Sequence, residues 1–453
     1  MLTFLRKKMK TIMIVVAVLF AASMFYGIGM SRWRERGRIA RGLAKVNGKE
    51  IDPFRYNEIL SRLIRQFGEE IQPQDLAFIQ NLALGQAVDF TLILEEAKRN
   101  VRISGREVDL ALESIVKQEK LSSKKELENA LKRMGLSMPR FRNMIKDEML
   151  VQKMVNKVRQ EVKVTPDDLR EVRASHILVT TESEAEEILG ELKAGKDFAS
   201  LAKKYSKDPG TAGKGGDLGY FTTGAMVEPF ERAAFKLKVG ETSKVVKTQF
   251  GYHIIRVVDT QLRKFPGEEK DIEKAALAEK QEKAFRKWFL EIKNKAEIEI
   301  ISPELKGHDF RFKGRIWEAI QEYKAAISQN PANPYLHIYL GDAYGTVGKS
   351  ELAISEYKAA IEIEGGSPEL YIILAKAYEK ADQKDLAVKE YKRASLVAGD
   401  NKAMHERLLK IFQELKAWKE VNREKAEIAR IEKKEKFEKE LRGEEQKPSS
   451  TSD

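Results

Sequence analysis

Two of the five histidines in this 453-residue chain sit inside short apolar stretches rich in β-branched residues: His176 in "RASHILV" and His253 in "GYHIIRV". Such stretches read as buried strands, and a buried imidazole needs hydrogen-bonding partners. Three kinds of chemistry could use them. With Asp208 they could form a metal triad, but the His-x₃-His and Glu-x₂-His spacings of helix-borne metal sites are missing, so no metal is expected. The nearby "GTAGKGGD" at 210–217 is glycine-rich but lacks the G-x₄-G-K-[S/T] spacing of a phosphate loop, and Gly215 follows Lys214 where a hydroxyl is needed. A Ser–His–Asp relay would need a serine in a nucleophile elbow, and none is present. Two readings stay open at this level: satisfied core histidines of a small α/β domain, or a paired polar site.

The elements around them are legible. A strand, a helix at 183–193, a second helix at 197–205, the glycine-rich stretch and further strands run from 173 to 258. Before them, "LAKVNGKEI" at 43–51 predicts a hairpin turning at Asn47-Gly48. Helical periodicity fills 53 to 160, as in "FRYNEILSRLIRQF". "VTPDDLREV" at 164–172 carries a helix-start signal, with Thr165 as cap, Pro166 in the first turn and acidic residues behind it. After the strands, "AEKQEKAFRKWFLEIKN" predicts a helix with Phe285, Trp288, Phe289 and Ile292 on one face, and "AEIEI" at 296–300 a short strand.

The last third repeats itself. "EYKAAI" at 322–327 returns at 356–361, and "EYKRAS" stands at 390–395, each 34 residues on. Ala319/Tyr323/Ala326, Ala353/Tyr357/Ala360 and Ala387/Tyr391/Ala394 keep one small–aromatic–small pattern. This period is similar to that of tetratricopeptide repeats. Two full repeats with partial flanks are expected over 307–430, capped by a helix from 402, with a charged helix and polar tail over 431–453.

The chain has no cysteine, which excludes disulfide scaffolds and Cys-ligated metal. Its net charge of +12 is concentrated at the start, where residues 1–50 hold 11 Lys and Arg against 2 Glu. Those charges flank "TIMIVVAVLFAASMFYGIGM" at 11–30, twenty uncharged and mostly apolar residues, the length of a bilayer-crossing helix. The segment is read as an uncleaved membrane anchor within 1–36, with a cleaved signal peptide as the competing reading. Both flanks are basic, so charge does not set orientation. The excess charge suits lipid headgroups, and no nucleic-acid groove is indicated.

Residues 173–261 resemble the parvulin-type peptidyl-prolyl isomerases. "ASHILV", "FASLAKKYSKD", "GGDLGYF", "MVEPFERAAFKLKVGE" and "VVKTQFGYHIIRV" carry the resemblance, in the family's order. It implies a four-stranded antiparallel sheet with helices around it. It implies a polar cluster of His176, Asp208, Thr248 and His253, and an apolar proline pocket of Leu218, Met226 and Phe230 with Phe250 at the rim. No cofactor is implied, because no bond breaks. The short acidic "VTTESEAEE" replaces the Arg-rich loop of phospho-specific parvulins, so unmodified X-Pro chains are the expected substrates.

Residues 43–172, through "VNGKEI" and "VTPDDL", resemble the N-terminal chaperone region of SurA- and PrsA-like extracytoplasmic foldases. That resemblance implies a helical domain over 37–172, completed by 262–301, with the aromatic face of the following helix packed into it. The expected architecture is therefore α+β multidomain: transmembrane helix, helical chaperone domain, parvulin domain, and helical repeat array. The expected protein is an isomerase and chaperone for exported polypeptides on the outer side of the cytoplasmic membrane, with an unidentified protein partner for the repeats. The alternative is a non-catalytic scaffold whose parvulin domain only binds.

Overall fold

The computed structural model describes residues 42–67, 73–133, 135–263 and 272–441, and the proposed anchor at 11–30 lies outside them. A hairpin of β1 (Ala44–Val46) and β2 (Lys49–Glu50) leads into α1 (Pro53–Phe67), α2 (Pro73–Asn100), α3 (Gly105–Gln118), α4 (Lys124–Arg133) and α5 (Met138–Gln160). Then come β3 (Arg170–Val179), α6 (Glu182–Lys193), α7 (Phe198–Tyr205), β4 (Asp217–Phe221), α8 (Glu228–Ala234), β5 (Val246–Thr248) and β6 (Gly251–Leu262). Next are α9 (Ile272–Asn294), β7 (Ile298–Ile300), α10 (Pro303–Phe312), α11 (Ile316–Gln329), α12 (Pro334–Thr346) and α13 (Ser350–Ile363). The chain closes with α14 (Pro368–Lys380), α15 (Lys384–Ala398), α16 (Lys402–Glu414) and α17 (Trp418–Leu441). These elements form two compact units, Lys153–Ile292 and the described residues on either side of it.

In the flanking unit the hairpin turns as expected: Asn47 (φ 50°) and Gly48 (φ 78°) are both left-handed, as a two-residue hairpin turn requires. β7 pairs antiparallel with β1, Val46 opposite Ile298, so a segment 250 residues downstream completes this small sheet. The hairpin is fastened to α2 by Glu95, which accepts from Asn47 Nδ2 (2.7 Å) and Lys49 Nζ (2.8 Å). α2 is long and apolar enough to span a bilayer, but more than half of its most apolar window is buried inside the protein.

The repeats form four helix pairs, α10/α11 to α16/α17, so the cap predicted from 402 is itself a pair. Tyr323, Tyr357 and Tyr391 are buried at the 34-residue spacing. A Cβ on Gly307 would lie 2.5 Å from the Tyr323 ring, and one on Gly341 2.6 Å from the Tyr357 ring, so glycine is what lets each ring seat between paired helices. One feature has no local signal in the sequence: α2 packs on α10 and α12, and Ala77 belongs to the core of the array. Gln80 is the polar centre of that contact. Its Oε1 accepts from His308 Nε2 (3.0 Å) and the Tyr339 hydroxyl (3.1 Å), and its Nε2 donates to Glu304 (2.9 Å). The Tyr323 hydroxyl lies 2.9 Å from His308 Nδ1 and donates to it. His308 is fully buried, and burial holds its pKa below the ordinary imidazole value, which fits a neutral ring that donates to Gln80 and accepts from Tyr323.

In the second unit the sheet order is β4-β3-β6-β5, antiparallel throughout. One face carries Val172, Ala174, Ile255 and Val257 against Phe221, Phe230 and Phe235. The other carries Ile177, Val179 and Ile254 against α6 and α7, through Ala185, Ile188, Phe198 and Leu201. The expected helix start at 165 is a single 3₁₀ turn, Pro166–Leu169, and the strand begins at Arg170, three residues earlier than read. Two interactions stop the helix. Arg170 already pairs with Leu262, and the Asp168 carboxylate is drawn into a tertiary cluster. It accepts from Thr165 N–H (2.7 Å), Thr223 Oγ1 (2.9 Å) and Lys280 Nζ (2.6 Å). Burial pushes this carboxyl up, but those donors outweigh it and hold it at about 2. On α9, Phe285, Trp288, Phe289 and Ile292 are half-buried rather than buried, with the Phe285 and Phe289 rings stacked at 6.0 Å.

The Gln80 network generates a stability prediction. Gln80→Ala strands a buried His308 N–H and a buried Tyr339 hydroxyl, at about 1–3 kcal/mol for each unsatisfied group. Urea unfolding of the full chain should show a loss of that order, whereas Ala at exposed Gln118 should cost under about 0.5 kcal/mol. Equal, small losses would mean that the network contributes nothing.

Candidate active site

The two histidines meet because of strand register. His176 pairs with Ile255 and His253 with Leu178, so both side chains leave the same face of adjacent central strands on a diagonal. Their Nδ1 atoms are 3.2 Å apart and the rings stack at 5.4 Å. His176 Nε2 reaches Asp208 Oδ2 at 2.8 Å and Thr211 Oγ1 at 3.0 Å. His253 Nε2 reaches Thr248 Oγ1 at 2.8 Å, which accepts from Phe250 N–H at 3.1 Å.

Asp208 lies in the 206–216 loop, which is sewn to β3 by two backbone bonds and one side-chain bond. Lys207 N–H donates to Leu178 O (2.7 Å), Leu178 N–H to Ser206 Oγ (3.1 Å) and His176 N–H to Gly216 O (2.9 Å). Gly216 has φ +84°, and a Cβ there would stand 2.2 Å from the His176 carbonyl oxygen. The glycine run thus serves the close approach of the loop to the strand that bears His176.

A carboxylate only accepts, so the network has one consistent proton arrangement when both imidazoles are neutral. His176 Nε2–H donates to Asp208, which leaves His176 Nδ1 as an acceptor. His253 Nδ1–H then donates to it, and His253 Nε2 accepts from the Thr248 hydroxyl. Burial, reinforced by the neighbouring His176, pushes His253 down to about 4. Burial pushes Asp208 up, but hydrogen bonds from Thr211 and then His176 outweigh it and hold the carboxyl below its ordinary value. The chain of donors therefore runs one way, from Phe250 N–H to a charged carboxylate.

Phe230 joins this polar chain to the apolar residues expected to line the proline pocket. It is 2% exposed, and its ring stands edge-on to both imidazoles, 5.7 Å from His176 and 5.3 Å from His253. Leu218 and Met226, both half-buried, pack on the same cluster. Phe250 does not join them: its ring is 63% exposed, and its backbone N–H is what touches the site. Thr211 and Ser206 were not singled out from the sequence. The only local signal is their place beside Asp208 in "YSKDPGTAG". Among the described residues no group of three or more His, Asp or Glu is arranged to hold a metal ion.

A buried imidazole pair over an aromatic floor, on a β4-β3-β6-β5 sheet, defines a parvulin-type isomerase domain. The model of the PPIC-type PPIase domain matches residues 153–261, and that of the SurA-like N-terminal domain matches residues 1–155. Tetratricopeptide repeat models match 307–348 and 337–366. The foldase protein PrsA of Caldanaerobacter subterraneus subsp. tengcongensis is 32% identical over 314 residues, 64% of this chain and 97% of its own length. The foldase protein PrsA of Geobacillus kaustophilus is 43% identical over 163 residues, 32% of this chain and 58% of the relative. A crystal structure of peptidylprolyl isomerase (PrsA) from Bacillus anthracis has 31% identity over 47% of this chain and 96% of that one, with a TM-score of 0.28. The chain belongs to the PrsA foldase family, and it is a peptidyl-prolyl cis-trans isomerase with a C-terminal repeat array.

The depressed His253 pKa has a stability consequence of definite sign. With about 4 in the folded protein and 6.5 ordinarily, the unfolded chain binds the extra proton between those values. Its contribution is complete above pH ~6.5 and is lost as pH falls through 4, up to about 3 kcal/mol. His253→Gln should flatten that part of the pH–stability curve relative to wild type in urea titrations. Identical slopes in the two proteins would contradict a neutral, buried His253.

Proposed function

We propose that this chain is a membrane-anchored, extracytoplasmic foldase that isomerises X-Pro bonds of exported polypeptides and holds them on its helical N-terminal domain. The observation that supports it best is the one-way hydrogen-bond chain lying beside an apolar floor. Rotation about X-Pro faces a barrier of ~18–20 kcal/mol set by amide resonance. A planar amide is charge-separated, and a twisted one less so. A lining that is apolar and electrically neutral at its centre therefore favours the twisted form, and only interactions stronger with that form accelerate rotation. In this reading Leu218, Met226 and Phe230 grip the proline ring, and Phe250 covers it from the rim. His176, Asp208, Thr248 and His253 keep the floor rigid where the preceding carbonyl turns, with buried His253 neutral. No cofactor takes part.

The substrate class follows from the same surroundings. "TTESEAEE" builds the start of α6, where Glu184 accepts from the Thr180 and Thr181 hydroxyls (both 3.0 Å), so the segment offers acidic and not basic groups to a substrate. Unmodified chains fit it. The uncharged run at 11–30, with basic residues on both sides, supports a bilayer as the second partner and the cytoplasmic membrane as the location. The array from Pro303 onward is given to a further protein partner. Among folded elements, α2 already covers part of its first two pairs.

Phe230 is both pocket and core, so Phe230→Ala should cost about 3–5 kcal/mol of stability and is a poor probe of turnover. Half-buried Met226 is the cleaner one. Removing its side chain forfeits roughly 1.5–3 kcal/mol of apolar contact with a bound proline ring. If half of that acts on the twisted amide, turnover should fall about three- to tenfold in a protease-coupled assay. Suppression of aggregation of an unfolded client should survive, because holding is assigned to the helical domain. The isomerase assignment of this pocket fails if folded Met226→Ala turns over Ala-Pro peptides like wild type.

For the anchor, the full-length protein should stay with membranes through a high-salt wash. Its C-terminus should be open to added protease in cells stripped of any outer barrier. Protection of the C-terminus would place the domains on the wrong side.

A further inference from the structure

We infer that Thr211 is a positioning residue of the isomerase site, holding Asp208 and His176 in one fixed arrangement through a hydroxyl that donates to one and accepts from the other. The inference rests on the polar cluster being the reaction centre, as proposed above. Thr211 Oγ1 donates to Asp208 Oδ2, and His176 Nε2 lies 3.0 Å from Thr211 Oγ1 and 2.8 Å from Asp208 Oδ2. The three groups close a triangle. With its own hydrogen committed to the carboxylate, the hydroxyl turns its lone pairs to the imidazole. His176 Nε2 therefore faces two acceptors and carries the proton, which frees Nδ1 to accept from His253.

The backbone fixes the hydroxyl in place. Thr211 O accepts from Lys214 N–H and Gly216 N–H, both 2.9 Å, and Gly216 is the residue whose carbonyl binds His176 N–H. The residue that orients the imidazole is thus tied through one glycine to the strand that carries it. The second carboxylate oxygen is held apart from the triangle, because Asp208 Oδ1 accepts from Gly210 N–H at 3.0 Å. Asp208 is therefore gripped at both oxygens, and Thr211 supplies the only side-chain hydroxyl among those grips in the described structure. Its hydrogen bond is also the largest single influence lowering the Asp208 pKa.

A purely structural threonine and a positioning one predict different results. Thr211→Val keeps the shape of the side chain and removes the hydroxyl, and Thr211→Ser keeps the hydroxyl and removes the methyl. With the full-length protein in a protease-coupled assay, Thr211→Val should lower kcat roughly tenfold with little change in KM. It should also move the acid limb of the pH–kcat profile to higher pH, since a donor to the ionised carboxyl is lost. Thr211→Ser should return both to near wild type. A Val variant that is folded and has the wild-type profile overturns the inference, as does a Ser variant as impaired as Val. If Val does not fold, the carboxyl carbon of Asp208 is titrated by NMR in wild type and Thr211→Ser. Matching depressed values support the inference, and an ordinary value in wild type overturns it. An inactive wild type whose Asp208 still titrates low would instead count against the isomerase site alone.

Discussion

Two buried imidazoles with their Nδ1 atoms 3.2 Å apart set the terms for the isomerase unit. Both cannot carry charge at that distance in an apolar setting, and both cannot offer a proton to the other. One must accept and one donate, and the partners at the outer nitrogens decide which. Asp208 decides it for His176, and Thr248 complements it at His253. The arrangement is tolerant of nothing in register: a one-residue slip of β6 against β3 would send His253 to the opposite face, among Ile177, Ile188 and Phe198. Ten paired positions along β3 and β6 and an apolar layer on each face hold that register.

The same constraint explains why the loop that bears Asp208 is glycine-rich and short of regular structure. It must bring a carboxylate to an imidazole rising from the middle of a strand. It does so by bonding its backbone to both sides of His176, with Gly216 where a side chain would strike the strand. Phe230 then converts polar order into apolar shape, its edge against both rings and its neighbours Leu218 and Met226 beside it. The helical unit works under a related rule. Gln80, His308, Tyr323 and Tyr339 are buried and each finds a partner, so that α2 and the first repeats share one core whose central polar groups are paired.

Much of this was legible in the chain. The β-branched runs around His176 and His253 announce buried strands, the 34-residue spacing announces the repeats, and Asn47-Gly48 announces the hairpin. That the two histidines touch came only through the resemblance to parvulins, since nothing local links residues 77 positions apart. Thr211 carries no strong signal in the sequence, because its role depends on a loop folding back over β3. Thr165-Pro166 signalled a helix that stops after one turn, because Lys280, Thr223 and the pairing of Arg170 with Leu262 are tertiary. Gln80 reads as an ordinary polar residue on an apolar helix, and its partner His308 lies 228 positions away. Phe250, read at the pocket rim, has an exposed ring and meets the site through its backbone N–H.

Buried His253 is neutral, and the hydrogen-bond chain through the site runs in one direction. Imidazole nitrogen NMR on ¹⁵N-histidine-labelled protein reads this directly, with only five histidines to assign. At pH 7 the account predicts His176 protonated at Nε2 alone, His253 protonated at Nδ1 alone, and no titration of His253 above about pH 5. A His253 that gains its proton near 6.5, or a His176 protonated at Nδ1, would contradict it.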